Sequence, residues 1–403
     1  METVGKSPGA KMCYFQKPPG YGILTEANAA CGIGKEWKTM KRIFALLLAL
    51  TMLFCACGQT PAETTPTTTV PETTEATLPP ETTQPIETTV PPTTEATEPP
   101  PVDTNPLTGE ALEEVSDLRP VAIMINNISK AVPQCGISQA DLLYEIVAEG
   151  SVTRFMAIFS DLSDVGVIGP VRSVRPYFVR IGQHYNAIIS SAGGSDEAID
   201  LIKSLGLNYL NGIAGAGSYF YRDEWRRANR GFEHSLMTTG EKLLKAIGNQ
   251  KFKTTMEDVD YGFHFDSEAM TTGESAQQIT VWFYKNGKKT VMNYDETTGL
   301  YAMYQHGKDS VDGNDDSPIV FRNVVVLKAK CKVKDSKGHL EVQTTGSGEG
   351  WFARDGKIIP IKWSRESNGD HFVYTDLDGN PISFGVGKSY IAIVPTDSPF
   401  STQ

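Results

Sequence analysis

The sequence predicts an α+β protein: an N-terminal α/β domain over residues 111–260, a mainly β C-terminal domain over 275–397, and before them a signal peptide and a disordered Thr/Pro/Glu-rich stalk. Three observations carry that prediction. Short apolar runs alternate with helical patterns in the first half of the folded region, turn dipeptides punctuate alternating apolar stretches in the second, and composition changes abruptly near residue 104.

Residues 1–39 are rich in Gly, Pro and Lys without periodicity, and read as an upstream extension of the true start at Met40. Lys41 and Arg42 then form a positive n-region ahead of the apolar run Ile43 to Phe54. That run is shorter than the roughly 20 apolar residues of a membrane span, so 40–57 is expected to be a signal peptide. It ends in Phe54-Cys55-Ala56-Cys57-Gly58, similar to a lipobox, and the small Ala56 assigns lipidation to Cys57 rather than Cys55. A lipid anchor makes the membrane a partner and places the head on its extracytoplasmic face. Cys135 and Cys331 are expected as two separate thiols, with a disulfide between them as the alternative.

Residues 58–104 are Thr, Pro and Glu with an internal repeat, 68–77 returning as 88–97. So few large apolar groups cannot offset the entropy of ordering, and the prolines favour an extended stalk. Residues 58–103 hold 8 acids and no base, whereas 1–57 hold 7 bases and 3 acids, so the rest of the chain is only mildly acidic. Nucleic acid is therefore not an expected partner, since it requires clustered Lys and Arg.

In the first domain, Val121–Ile125, Leu142–Ala148, Thr153–Ser160 and Asn186–Ser190 read as strands, the middle pair joined by a turn at Glu149-Gly150-Ser151. Ser195 caps a helix that ends at Gly206, and Thr238-Thr-Gly-Glu241 reads as a capping box before a second helix. In the second domain Asn286-Gly287, Asp355-Gly356 and Asp378-Gly379 mark hairpins.

Several motifs then fall into a familiar order. Ile125-Asn-Asn, Pro133-Gln, Tyr144-Glu, Thr153-Arg-Phe, Gly169-Pro-Val-Arg-Ser-Val-Arg175, Ala192-Gly-Gly-Ser195 and Glu233-His234 resemble the N-terminal half of the YerB-like lipoproteins. Phe321-Arg-Asn-Val-Val-Val326, Gly350-Trp-Phe, Trp363-Ser-Arg365 and Gly387-Lys-Ser-Tyr-Ile-Ala-Ile-Val-Pro395 resemble its second domain. The resemblance covers 104–397 and implies a two-domain lipoprotein of unknown function. Val132 stands where the family pattern suggests arginine, and Ser235 where it suggests asparagine.

The strongest candidate site is Arg172 and Arg175, just ahead of a helix starting at Pro176, where backbone N–H groups and guanidinium forks together suit an anion. Arg154, Asp161 and Ser195 join them as ligand-binding candidates. A structural network with Glu145, Glu149 or Asp161 explains the same arginines equally well. His234 and Glu149 are the candidate general bases of a competing reading, a hydrolase or transferase acting on an envelope substrate. A third reading makes Trp351, Phe352 and Trp363 a platform for cell-wall glycan. No cofactor is expected and, with no paired His or Cys spacing, no metal either; Asp312-Gly-Asn-Asp315-Asp316 reads as a solvated hairpin loop. The leading expectation is a non-enzymatic lipoprotein whose α/β domain binds an anionic small molecule, a cell-wall component or an envelope protein.

Overall fold

The computed structural model describes residues 103–112, 117–256, 260–285 and 287–403. The upstream residues, the signal segment, Cys57 and nearly all of the stalk lie outside the described residues.

Strands β1 (Val121–Asn127), β2 (Leu142–Ala148) and β3 (Val152–Phe159) are buried on both faces almost throughout. Near-continuous apolar runs are what a sheet covered on both sides requires. β2 and β3 form the expected hairpin, with Ala148 opposite Val152. Helix α1 (Pro176–His184) opens on its proline, as the fixed φ of that residue favours. Then follow β4 (Ile188–Ser191), α2 (Asp196–Ser204) and β5 (Tyr209–Asn211), with β1, β4 and β5 mutually parallel. Helix α3 (Glu224–Asn229), strand β6 (Leu236–Thr239) and helix α4 (Gly240–Asn249) complete the first half. The capping box is displaced by one residue. Thr239 accepts from the Lys242 N–H at 3.1 Å, because the Thr238 hydroxyl is already donated to the Tyr219 carbonyl at 2.9 Å.

The second half begins with an antiparallel meander, β7 (Gln278–Trp282), β8 (Lys289–Asp295) and β9 (Leu300–Gln305). The first hairpin brackets the predicted Asn286-Gly287 turn, whose Asn286 is outside the described residues. Then come β10 (Asn323–Ala329), the ribbon β11 (Cys331–Val333) and β12 (Leu340–Val342), the long pair β13 (Gly346–Arg354) and β14 (Lys357–Arg365), and β15 (Ser389–Pro395). Asp355 and Gly356 form the two-residue turn between β13 and β14, with φ of 55° and 68°. Both are left-handed, as the primed hairpin turn requires.

The two halves share one sheet. β15 pairs in parallel with β2 on one side and with β10 on the other. An 11-stranded sheet results, running Glu274–Ser275, β14, β13, β10, β15, β2, β3, β1, β4, β5, with Val373–Thr375 paired to β14 off this path. The meander belongs to a separate six-stranded sheet. Alternation along β2 divides its contacts between the two layers. The Tyr144 hydroxyl meets that of Tyr185 at 2.7 Å, just past α1. Its neighbour Glu145 faces the meander, where Thr290 of β8 and Gln305 of β9 meet it. Cys135 and Cys331 are free thiols. Among the described residues no helix is long and apolar enough to cross a membrane, and no cluster of His, Cys, Asp or Glu could hold a metal.

Candidate functional site

The segment 169–175 is threaded between β1 and the turn after β4. The Arg172 N–H donates to Met124 O at 2.8 Å, Ala192 N–H to Arg172 O at 3.0 Å, and Val174 N–H to Gly193 O at 2.9 Å. These bonds place the arginines beside the carboxyl ends of parallel strands, the usual location of ligand crevices in open α/β sheets.

Of the three arginines Arg154 is buried and Arg175 is partly buried. Arg154, on β3, donates to Ser173 O at 2.6 Å and to Glu149 Oε2 at 3.3 Å. Arg175 donates through Nε to the other Glu149 oxygen, so one carboxylate at the β2–β3 turn joins both guanidiniums. Burial, with Arg175 close by, pulls the Arg154 guanidinium down to about 10, so it remains charged at neutral pH. Burial alone would raise the Glu149 carboxyl, but the Arg175 hydrogen bond and the charges of Arg154 and Arg175 outweigh it and hold the group below its ordinary value. A carboxyl so held, with both oxygens on guanidiniums, is a weak proton acceptor.

Arg172 is different. Its partner is Glu233, at 2.8 Å, and the two side chains are 29% and 64% exposed. Next to Glu233, His234 sits in a short 3-10 turn with Nδ1 at 2.9 Å from the Asn126 amide at the end of β1. Burial and the Arg172 charge lower the His234 pKa, favouring the neutral ring. The rim is completed by Arg222, which lies over the exposed Phe232 ring at 3.8 Å and donates to the Phe232 carbonyl. No serine, cysteine or threonine hydrogen-bonds the His234 ring among the described residues.

The remaining candidates lie elsewhere. Asp161 is not brought to the arginines: its carboxylate accepts from the Ser163 N–H and hydroxyl at 2.9 and 2.7 Å, a local turn. Ser195 caps α2, accepting from Ala198 N–H at 3.3 Å. The aromatic platform does not form. Trp363 and Phe352 are core residues, the indole of Trp363 donating to Lys328 O at 3.0 Å, and Trp351 stacks on Phe400 with centroids 4.2 Å apart. Asp312 is not solvated either. It is 1% exposed and accepts from the Gly136 and Ser138 N–H groups, both at 3.0 Å, tying its loop to the first half.

Sequence reasoning missed a second polar centre. Glu145 is 0% exposed and accepts from Asn127, Thr153, Thr290, Gln305 and Tyr390 at 2.5–2.9 Å. Lys288, almost as buried, lies 3.7 Å from it and donates to Gln305 Oε1 at 2.6 Å. The lone acid within Leu-Leu-Tyr-Glu-Ile-Val-Ala was the available signal, because an unpaired buried charge is too costly to keep. Asn126 and Asn127, adjacent on β1, serve opposite faces: the first supports His234 and the second Glu145.

Comparison with known proteins agrees with this architecture. The Protein of unknown function (DUF3048) N-terminal domain matches residues 107–253, and the corresponding C-terminal domain matches 279–391. YerB of Bacillus subtilis (strain 168), whose name carries lipoprotein as a provisional designation, is 31% identical over 294 residues, covering 72% of this chain and 86% of that protein. A crystal structure of YerB protein from Bacillus subtilis superposes with a TM-score of 0.65 at 30% identity, covering 74% of this chain and 99% of that one. With both halves matched in order and a relative spanned almost end to end, the chain belongs to the two-domain DUF3048 family that includes YerB.

Proposed function

We propose that this chain is an envelope lipoprotein, anchored through Cys57 on the outer face of the membrane, whose head binds an anionic ligand at Arg172. The observation that supports the reading is the Arg172–Glu233 pair. An exposed carboxylate is a weakly held counterion, worth at most about 1 kcal/mol, and an incoming phosphate or carboxylate can replace it in the guanidinium fork. His234 and Arg222 flank that position. Arg154, Arg175 and Glu149 act beneath it as a brace that fixes the 169–175 segment, so the two readings of the arginines divide between residues. The ligand is an anionic small molecule, a wall component or the acidic surface of an envelope protein.

The test is thermal denaturation of the full chain in detergent with phosphate esters, polycarboxylates and muropeptides. A ligand at 100 times its Kd adds about 2.7 kcal/mol of stability. Arg172→Ala is expected to keep the Tm of the free protein and remove that gain, while Arg175→Ala lowers the Tm itself. A gain that survives Arg172→Ala refutes the assignment.

A further inference from the structure

A cavity of about 480 Å³ opens between α1 and the β11–β12 ribbon, away from Arg172. Arg180 of α1 forms one wall, with Lys330 and Lys332 facing it from the strand that enters the ribbon. Thr345, Thr396 and Gln343 contribute polar surface. A smaller pocket of about 30 Å³ shares Arg180 and Glu341 and reaches Lys334.

The cations here are not equivalent. Lys332 pairs with Glu341 at 3.0 Å across the ribbon, and Lys334 pairs with Glu197 of α2 at 2.7 Å. The side chains of Arg180 and Lys330 make no hydrogen bond or ion pair among the described residues, although the Arg180 charge also acts on Glu341; the Arg180 carbonyl accepts from Arg365, and the Lys330 backbone pairs with Gln343. Two positive charges therefore stand in excess over one opening.

Hydrogen bonds tie the walls together. Arg365, 1% exposed, donates to the Arg180 carbonyl at 2.9 Å and to the Thr344 carbonyl at 3.2 Å, joining helix and strand from behind. Gln343 accepts from the Lys330 N–H at 3.2 Å and donates to Thr345 O at 2.9 Å. The hydroxyls of Thr345 and Thr396 have no hydrogen-bond partner in the described protein and are left for a ligand. Burial pushes the Cys331 thiol in the lining up to about 12, so it stays protonated and the site is suited to binding rather than covalent chemistry.

A preformed cavity of this size holds a small molecule, a guanidinium fork recognises phosphate or carboxylate, and hydroxyl and amide walls recognise sugar hydroxyls. We propose that the cavity binds an anionic sugar, its charged group on Arg180 and Lys330 and its hydroxyls on Thr345 and Thr396. The site is distinct from that at Arg172 and does not depend on it.

Titration calorimetry of the full chain in detergent tests the proposal, with glucose 1-phosphate, glucose and inorganic phosphate as probes. Glucose 1-phosphate is expected to bind at least tenfold more tightly than either fragment. Lys330→Glu, an exposed change that leaves the fold intact, is expected to weaken it at least tenfold, as is Arg180→Ala with an unaltered Tm. Arg172→Ala, which removes the other anion site, is expected to retain the binding that Lys330→Glu weakens. The proposal is overturned if no probe binds, if glucose binds as tightly as its phosphate, or if Arg172→Ala abolishes binding while Lys330→Glu does not.

Discussion

Glu145 and Glu233 are both acids beside a cation, and they differ in almost every other respect. Glu145 is fully buried, saturated by five side-chain donors, and reached by Lys288. Glu233 is 64% exposed, and among the described residues its carboxylate pairs with Arg172. The contrast teaches that charge pairing by itself does not mark a site in this fold. What separates a structural pair from an exchangeable one is whether water can stand in for the partner.

The largest effect should come from Glu145→Ala, which leaves Lys288 buried without its counter-charge and strands the Tyr390, Thr290 and Gln305 donors. Removal of one member of a buried pair costs about 3–5 kcal/mol, so urea denaturation should register a loss of that order. A loss below about 1 kcal/mol would place the two acids in the same class and break the comparison.

The next effect is on pH dependence. His306 accepts from Lys288 at 3.3 Å, and burial together with the charges of Lys288 and Lys308 pulls its pKa down to about 4. Burial likewise lowers His184, to about 3. A histidine depressed in the fold is neutral there and protonates first in the unfolded chain. Its contribution is therefore complete above about pH 6.5 and declines as pH falls from 6.5 toward 4 or 3, with a slope of up to about 1.4 kcal/mol per unit for each ring. His306→Gln should flatten that limb between pH 6.5 and 4 when ΔG is measured across pH. His234→Gln, beside the exposed pair, should alter it much less.

The smallest effect belongs to Glu233→Gln. Its stability change should stay within about 0.5 kcal/mol, while affinity for an anion at Arg172 rises because the resident counterion is gone. Weaker binding would mean that Glu233 positions Arg172 rather than competing for it.

What the sequence made legible was local. The strands of the first half, the Ser195 cap and the Asp355-Gly356 turn each depend on a few consecutive residues, and each stands close to where it was expected. Arg172 and Arg175 could be placed before α1 from the proline that follows them, yet their opposite fates could not, because Glu149 and Glu233 lie on opposite sides of them in the chain. The Glu145 centre gathers residues from 127 to 390 and has no spacing to detect. Arg180 was invisible as a binding residue for the same reason, since its cavity is closed by a ribbon some 150 positions later. Trp363 and Phe352 misled because an aromatic on a strand does not reveal which layer covers it.

β15 gives the fold a direction in time. It fills the gap between β2 and β10, so a chain made N-terminus first cannot close its central sheet until residues 389–395 have emerged. Until then β2 presents an unpaired edge of Leu, Tyr, Ile and Val, the kind of edge that invites wrong partners. Synthesis and folding are thereby placed in sequence: the head matures only once nearly the whole polypeptide is available, and a chain cut short of β15 keeps that edge of β2 uncovered.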